Sequence, residues 1–95
     1  MLIQLNYELA VEQAGKIQNT SVKCGEIAME LEKQRTVLEA NWTGNSAAAL
    51  IARLSTLLGE IKAMESTLGA LAGKIRSKAD QLKAIDDEKL KGEGL

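Results

Sequence analysis

Ninety-five residues leave room for one domain at most, near the size at which a single core supplies only a few kcal/mol and partners often provide the rest. Twelve basic residues against thirteen acidic ones give a net charge of −1, which offers no general attraction for nucleic-acid phosphates or an anionic membrane. One Cys and no His exclude an intramolecular disulfide, the usual structural zinc sets and nucleophilic triads of the Ser-His or Cys-His kind.

The opening "MLIQLNYELA" has too short an apolar run and no basic n-region for a secretory signal peptide. No stretch reaches membrane-spanning length either, so no stable membrane insertion is expected. The absence of proline and Phe, with abundant Ala, Leu, Glu and Lys, favours long helices.

From Ile3, steps of three and four residues pass through Tyr7, Ala10, Ala14, Ile17, Ser21, Cys24, Ala28, Leu31, Arg35, Leu38 and Trp42. Only Ser21 and Arg35 interrupt this apolar series. Its mean spacing of about 3.5 residues keeps one stripe facing a partner helix. A first helix is therefore expected over about 6–41. Cys24 reads as a small core residue. Arg35 either lays its stem along the apolar face, pairs with an acid of the neighbouring helix, or sets register.

"WTGN" follows, and with it a turn over 42–45. Gly44 is able to adopt the left-handed conformation that ends a helix, and Asn45 or Ser46 to cap the next one. So short a connection folds the helices back antiparallel. Trp42 then forms the last rung of the first seam, with its indole over the start of the second helix.

The second series is Ala47, Leu50, Leu54, Leu57, Ile61, Met64, Leu68, Leu71, Ile75, Lys78, Leu82, Ile85 and Lys89. It predicts a helix over about 46–88, and each helix is then roughly 55 to 65 Å long at 1.5 Å per residue. Gly69 and Gly73 have GxxxG spacing among charged neighbours, which reads either as a close helix approach or as plain tolerance. The closing "DDEKLKGEGL" predicts a frayed tail over 89–95.

Two helices do not account for all the apolar surface. The second doubles its stripe at Leu50 and Ile51 and at Leu57 and Leu58, while the first carries Val22, Ile27 and Met29 off its seam. An apolar face wider than one neighbour covers implies a second neighbour. The expected fold is therefore all-α: one domain spanning 1–95, an antiparallel two-helix hairpin that dimerises into a four-helix bundle. Ile51, Leu58, Ile27, Val22 and Met29 are the candidate dimer or partner surface.

A chain of about this length with two long helices and a central Trp42, Thr43, Gly44 resembles the WXG family of small type VII secretion substrates, relatives of the early secreted antigenic target. The resemblance covers essentially the whole chain. It implies a non-enzymatic helical hairpin that forms homodimers or heterodimers. It also implies export by a membrane ATPase machine of Gram-positive bacteria without a signal peptide, from a cytoplasmic pool to the cell surface or medium. No cofactor is implied. The implied partners are a second copy, a paralogous WXG-like protein or an LXG-type toxin, and the type VII secretion ATPase. Family members often carry an export motif of Tyr followed four residues later by Asp or Glu, shortly after a helical Ala. "ADQLKAIDDE" places Ala79, Leu82 and Asp86 at that spacing, with Leu in place of Tyr. Leu82 reads either as a packing residue of the seam or as a degenerate export signal, and its departure from Tyr raises the possibility that a partner carries the recognised tail.

Overall fold

The computed structural model describes the backbone of residues 2–92 and the side chains of residues 6–88. Helix α1 spans Leu2–Asn41 and α2 spans Asn45–Gly92, and the described fold is an all-α helical hairpin. Both helices exceed their expected lengths. At the far end, Glu88, Lys89, Leu90 and Lys91 are good helix formers with no breaker before Gly92, so α2 continues through residues 89–92 where fraying is expected from the sequence. Residues 93–95 of that expected tail, and the side chains of Ile3 and Lys89 in the two expected seams, lie outside what is described.

The chain divides into two units, one of residues 20–67 and one joining the residues up to Asn19 with those from Leu68 onward. In the first, the later half of α1 pairs with the earlier half of α2. Ser21, Cys24 and Ala28 are buried, and Leu31, Arg35 and Leu38 half-buried, as the spacing of α1 predicts. Opposite them run Ala47, Ile51, Leu54, Leu58, Ile61 and Glu65, all buried or half-buried. In the second unit, Tyr7, Ala10, Ala14 and Ile17 of α1 line up with Leu68, Ala72, Ile75 and Ala79 of α2.

The face of α2 is thus rotated from the expected one. Ala47, Leu54, Ile61, Leu68 and Ile75 belong to the seam as expected, whereas Leu50, Leu57, Met64, Leu71 and Lys78 are exposed and the residue after each takes its place. The reason lies in α1, whose buried positions among the described residues are all small: Ala14, Ser21, Cys24 and Ala28. Small residues let two backbones approach closely, and a Leu at every facing position would not fit between them. So α2 turns its Ala47, Ala72 and Ala79 inward and leaves Leu57 outside, with Leu58 the one large side chain buried among the described residues.

The helices of the first unit approach closely at Ser21 and Gly25. The Ser21 hydroxyl donates to the Glu65 backbone carbonyl at 2.7 Å, and a Cβ on Gly25 would stand 3.0 Å from a Glu65 carboxylate oxygen. Gly73 of the GxxxG pair has nothing within 4 Å of a Cβ position, so it marks no close approach.

Candidate functional site

The connection between the helices contains only Trp42, Thr43 and Gly44 outside helix. The Trp42 amide still donates to the Leu38 carbonyl at 2.8 Å, and Asn41 Nδ2 donates to the Val37 carbonyl at 2.8 Å, so α1 closes with both main-chain and side-chain bonds. Gly44 then reverses the chain at φ +100°, as expected of the single residue type that adopts it without a Cβ penalty. Its carbonyl accepts from Ala48 N at 3.1 Å, so Gly44 itself holds the N-cap position, where Asn45 or Ser46 is expected from the sequence. Asn45 is the first helical residue.

Trp42 is not the closing rung of the seam: 54% of its surface is exposed. Next to Ala47, which is buried, the small first turn of α2 presents no large side chain against which an indole would pack. The largest side chain of the protein therefore stands beside an exposed reversal of the backbone.

Behind the turn, Arg35 is the hub of a polar cluster. Its Nη2 lies 3.3 Å from Glu32 Oε1, its Nε 3.8 Å from Glu39 Oε1, and its Nη1 donates to Ser55 Oγ on α2 at 3.3 Å. Glu32 in turn reaches across to Lys62 Nζ at 3.6 Å. Arg35 thus pairs with acids of its own helix and donates across to a hydroxyl of α2, while its side chain stays largely covered on the seam; a pair with an acid across the two helices is made by Glu32 and Lys62 instead.

The candidate partner residues separate into two groups. Val22, Ile27 and Met29 are exposed, together with Val37, Leu50, Leu57 and Met64 of the same unit. Leu58, at 4% exposure, and Ile51, half-buried, belong to the seam within the chain and are not surface. The rotation of α2 accounts for both, because the residue preceding each of them carries the outward apolar surface.

In the unit that holds the chain ends, Tyr7 donates its hydroxyl to Asp80 Oδ1 at 3.0 Å, and Lys83 Nζ stands 4.7 Å from its ring centroid. The bond to Asp80 and then the charge of that carboxylate push the Tyr7 pKa above its ordinary 10.0. Tyr7, Ala10, Ile75, Ala79 and Leu82 line an open groove of about 430 Å³, with Asn6, Lys74 and Lys78 completing its wall. Leu82 is 59% exposed, so the seam does not account for it, and Asp86 is partly buried one turn further along α2.

The chain matches no protein-family model, and no curated protein or solved structure shows significant similarity to it. Among the described residues no three His, Cys, Asp or Glu side chains are placed to hold a metal ion, and no helix is long and apolar enough to cross a membrane.

The Tyr7–Asp80 clasp and its groove are absent from the sequence-level expectations. A signal for them exists. An antiparallel hairpin folded about Thr43 brings together residues equidistant from it, and Tyr7 with Asp80, like Ser21 with Glu65, is such a pair to within one residue.

Proposed function

We propose that this chain is a WXG-type helical protein, a non-enzymatic hairpin that leaves the cell through a type VII secretion ATPase as one half of a helical dimer. The observation that carries the reading is the turn: an exposed Trp42 two residues before a Gly44 at φ +100°, set between helices of 40 and 48 residues. A Trp in that position contributes little to the seam, so its presence is best explained by something outside the chain that it contacts. The exposed apolar side chains of the turn-bearing unit, Val22, Ile27, Met29, Leu50 and Leu57, give a partner helix pair its contact surface. That partner is a second copy, a paralogous WXG-like protein or the helical domain of an LXG-type toxin. The decisive experiment deletes the secretion ATPase in the host cell and compares culture medium with lysate. Loss of the extracellular protein supports the reading, and an unchanged extracellular level removes it.

Leu82 favours a second reading, in which the chain is the targeting partner or chaperone of a larger exported toxin. The position stands free on α2, four residues before Asp86, but an aliphatic side chain lacks the ring and hydroxyl that a Tyr would offer a receptor. In a heterodimer the partner's tail supplies them. Light scattering on the chain alone and with neighbouring gene products separates the two: a self-dimer supports autonomous export, and a one-to-one complex with a toxin domain supports the targeting role.

A further inference from the structure

The groove in the unit of the chain ends joins two features that the export reading does not use. Its floor and walls are apolar, built from the Tyr7 ring, Ala10, Ile75, Ala79 and Leu82. On one side stand Lys74 and Lys78, four residues apart on α2 and both exposed, and no acid among the described residues pairs with either. The nearby Asp80 is engaged by the Tyr7 hydroxyl and is not part of the lining. At about 430 Å³ the groove lies within the range of small-molecule sites.

We propose that this groove binds a single-chain anionic amphiphile, a fatty-acid-like carboxylate, with the acyl chain along Ala10, Ile75 and Leu82 and the carboxylate at Lys74 and Lys78. Two arguments select this occupant. Two unpaired ammonium groups beside an apolar trough complement a negative head on an apolar tail, and the lysine stems extend the apolar wall while their charges stay in water. An extended peptide would leave its own amides facing walls with almost no polar atoms, whereas an acyl chain has no internal polar group to satisfy. The inference does not rest on the export reading at the turn, since neither Trp42 nor the outward leucines of the other unit take part in it; Leu82 is the one residue it shares with the targeting reading.

Titration calorimetry of the full chain with decanoate, octanoate, decanol and decyltrimethylammonium tests it. Saturable one-to-one binding of decanoate is expected, on the order of tenfold tighter than octanoate because each buried methylene is worth about fourfold. Decanol and the cationic amphiphile should bind at least about tenfold more weakly, since the lysines then gain no partner or face a like charge. Lys74→Glu with Lys78→Glu should weaken decanoate by about tenfold or more at unchanged helicity, and Lys74→Arg with Lys78→Arg should retain it. Ala10→Leu, which fills the trough, gives a charge-independent check and should also lose decanoate. Absence of saturable decanoate binding, equal binding of the cationic amphiphile, or indifference to the charge-reversed pair would overturn the proposal. So would concentration-dependent protection of amides 6–10 and 74–82 from hydrogen exchange without ligand, because a second copy would then occupy the groove.

Discussion

Ser21 Oγ lies 2.7 Å from the backbone carbonyl oxygen of Glu65, a side chain of one helix bonded to the main chain of the other. Such a bond requires the two backbones to be close, and Ser21 is itself buried. Ser21→Leu should therefore destabilise the protein by about 1–3 kcal/mol through overpacking, while Ser21→Ala should cost about 1 kcal/mol or less, since it removes one hydrogen bond but no volume that matters. Urea unfolding followed by circular dichroism measures both. An equal effect of Leu and Ala would show that the approach is looser than the bond implies.

Gly25, one turn on, tests the same contact with the opposite sign. The three atoms nearest to a Cβ there all belong to the far end of the Glu65 side chain, at 3.0 to 3.1 Å, and a flexible carboxylate end is able to swing aside. Relief of the glycine penalty in a helix interior then dominates, so Gly25→Ala should stabilise by about 0.5–1 kcal/mol. A fall in the urea midpoint would instead mean that Glu65 is held where it stands.

At the turn, stability and recognition should separate. Gly44→Ala places a Cβ at φ +100° in otherwise open space, so backbone strain alone should cost about 1–2 kcal/mol. Trp42→Ala should cost about 1 kcal/mol, well below the 3–5 kcal/mol of a buried Trp, because more than half of the side chain already meets solvent. On the proposed function, Trp42→Ala should nonetheless lower export. A large loss of melting temperature in Trp42→Ala would place the indole in the fold after all.

Tyr7 titrates above its ordinary 10.0 because Asp80 accepts a hydrogen bond from its protonated form and repels its anion. The folded state thus binds this proton more tightly than the unfolded chain does. The stabilisation from the clasp is fully present below the unfolded pKa and is lost as pH rises through the higher folded one. As the only Tyr in the chain, it gives a clean tyrosinate absorbance. The titration should move back toward 10.0 in Asp80→Ala, and an unmoved midpoint would show that the carboxylate is not the cause.

How far the sequence reached differs between the helices. The seam of α1 was legible because it is a single stripe: Ala14, Ser21, Cys24 and Ala28 recur at three-and-four spacing with polar residues such as Glu12, Lys23 and Glu30 off it, and all four are buried. In α2 two apolar stripes run side by side, and periodicity alone prefers the one with larger residues. What decides between them is the size of the residues across the seam, a property of the other helix. The same blindness affected Trp42, since an indole at seam spacing is covered only where a large side chain faces it, and the first turn of α2 with Ala47 presents none. Leu82 is exposed although Ala47, Leu54, Ile61, Leu68 and Ile75, which precede it at seven-residue steps, stay in the seam. For Arg35 the seam position was legible; of the alternatives open to it, the pair with an acid of the other helix is not made, and its acids lie at i,i−3 and i,i+4 on its own helix.

The rotated face of α2 yields the sharpest contrast, between adjacent leucines. Leu58 is buried against its own chain, so Leu58→Ala should cost about 2–4 kcal/mol and lower the unfolding midpoint even at the highest dilution. Leu57 is exposed, with Leu50 and Met64 seven residues to either side and exposed as well. Leu57→Glu should leave the midpoint of the isolated chain within about 0.5 kcal/mol, because it removes nothing from the seam. If a partner covers that stripe, the same substitution buries an unpaired charge in the interface and should abolish association in light scattering. The reverse pattern, with Leu57→Glu unfolding the chain and Leu58→Ala tolerated, would mean that the larger stripe is the true seam. With both chains folded and both still associating, the outward leucines would have no role in pairing, and the partner surface would have to lie on α1, at Val22, Ile27 and Met29.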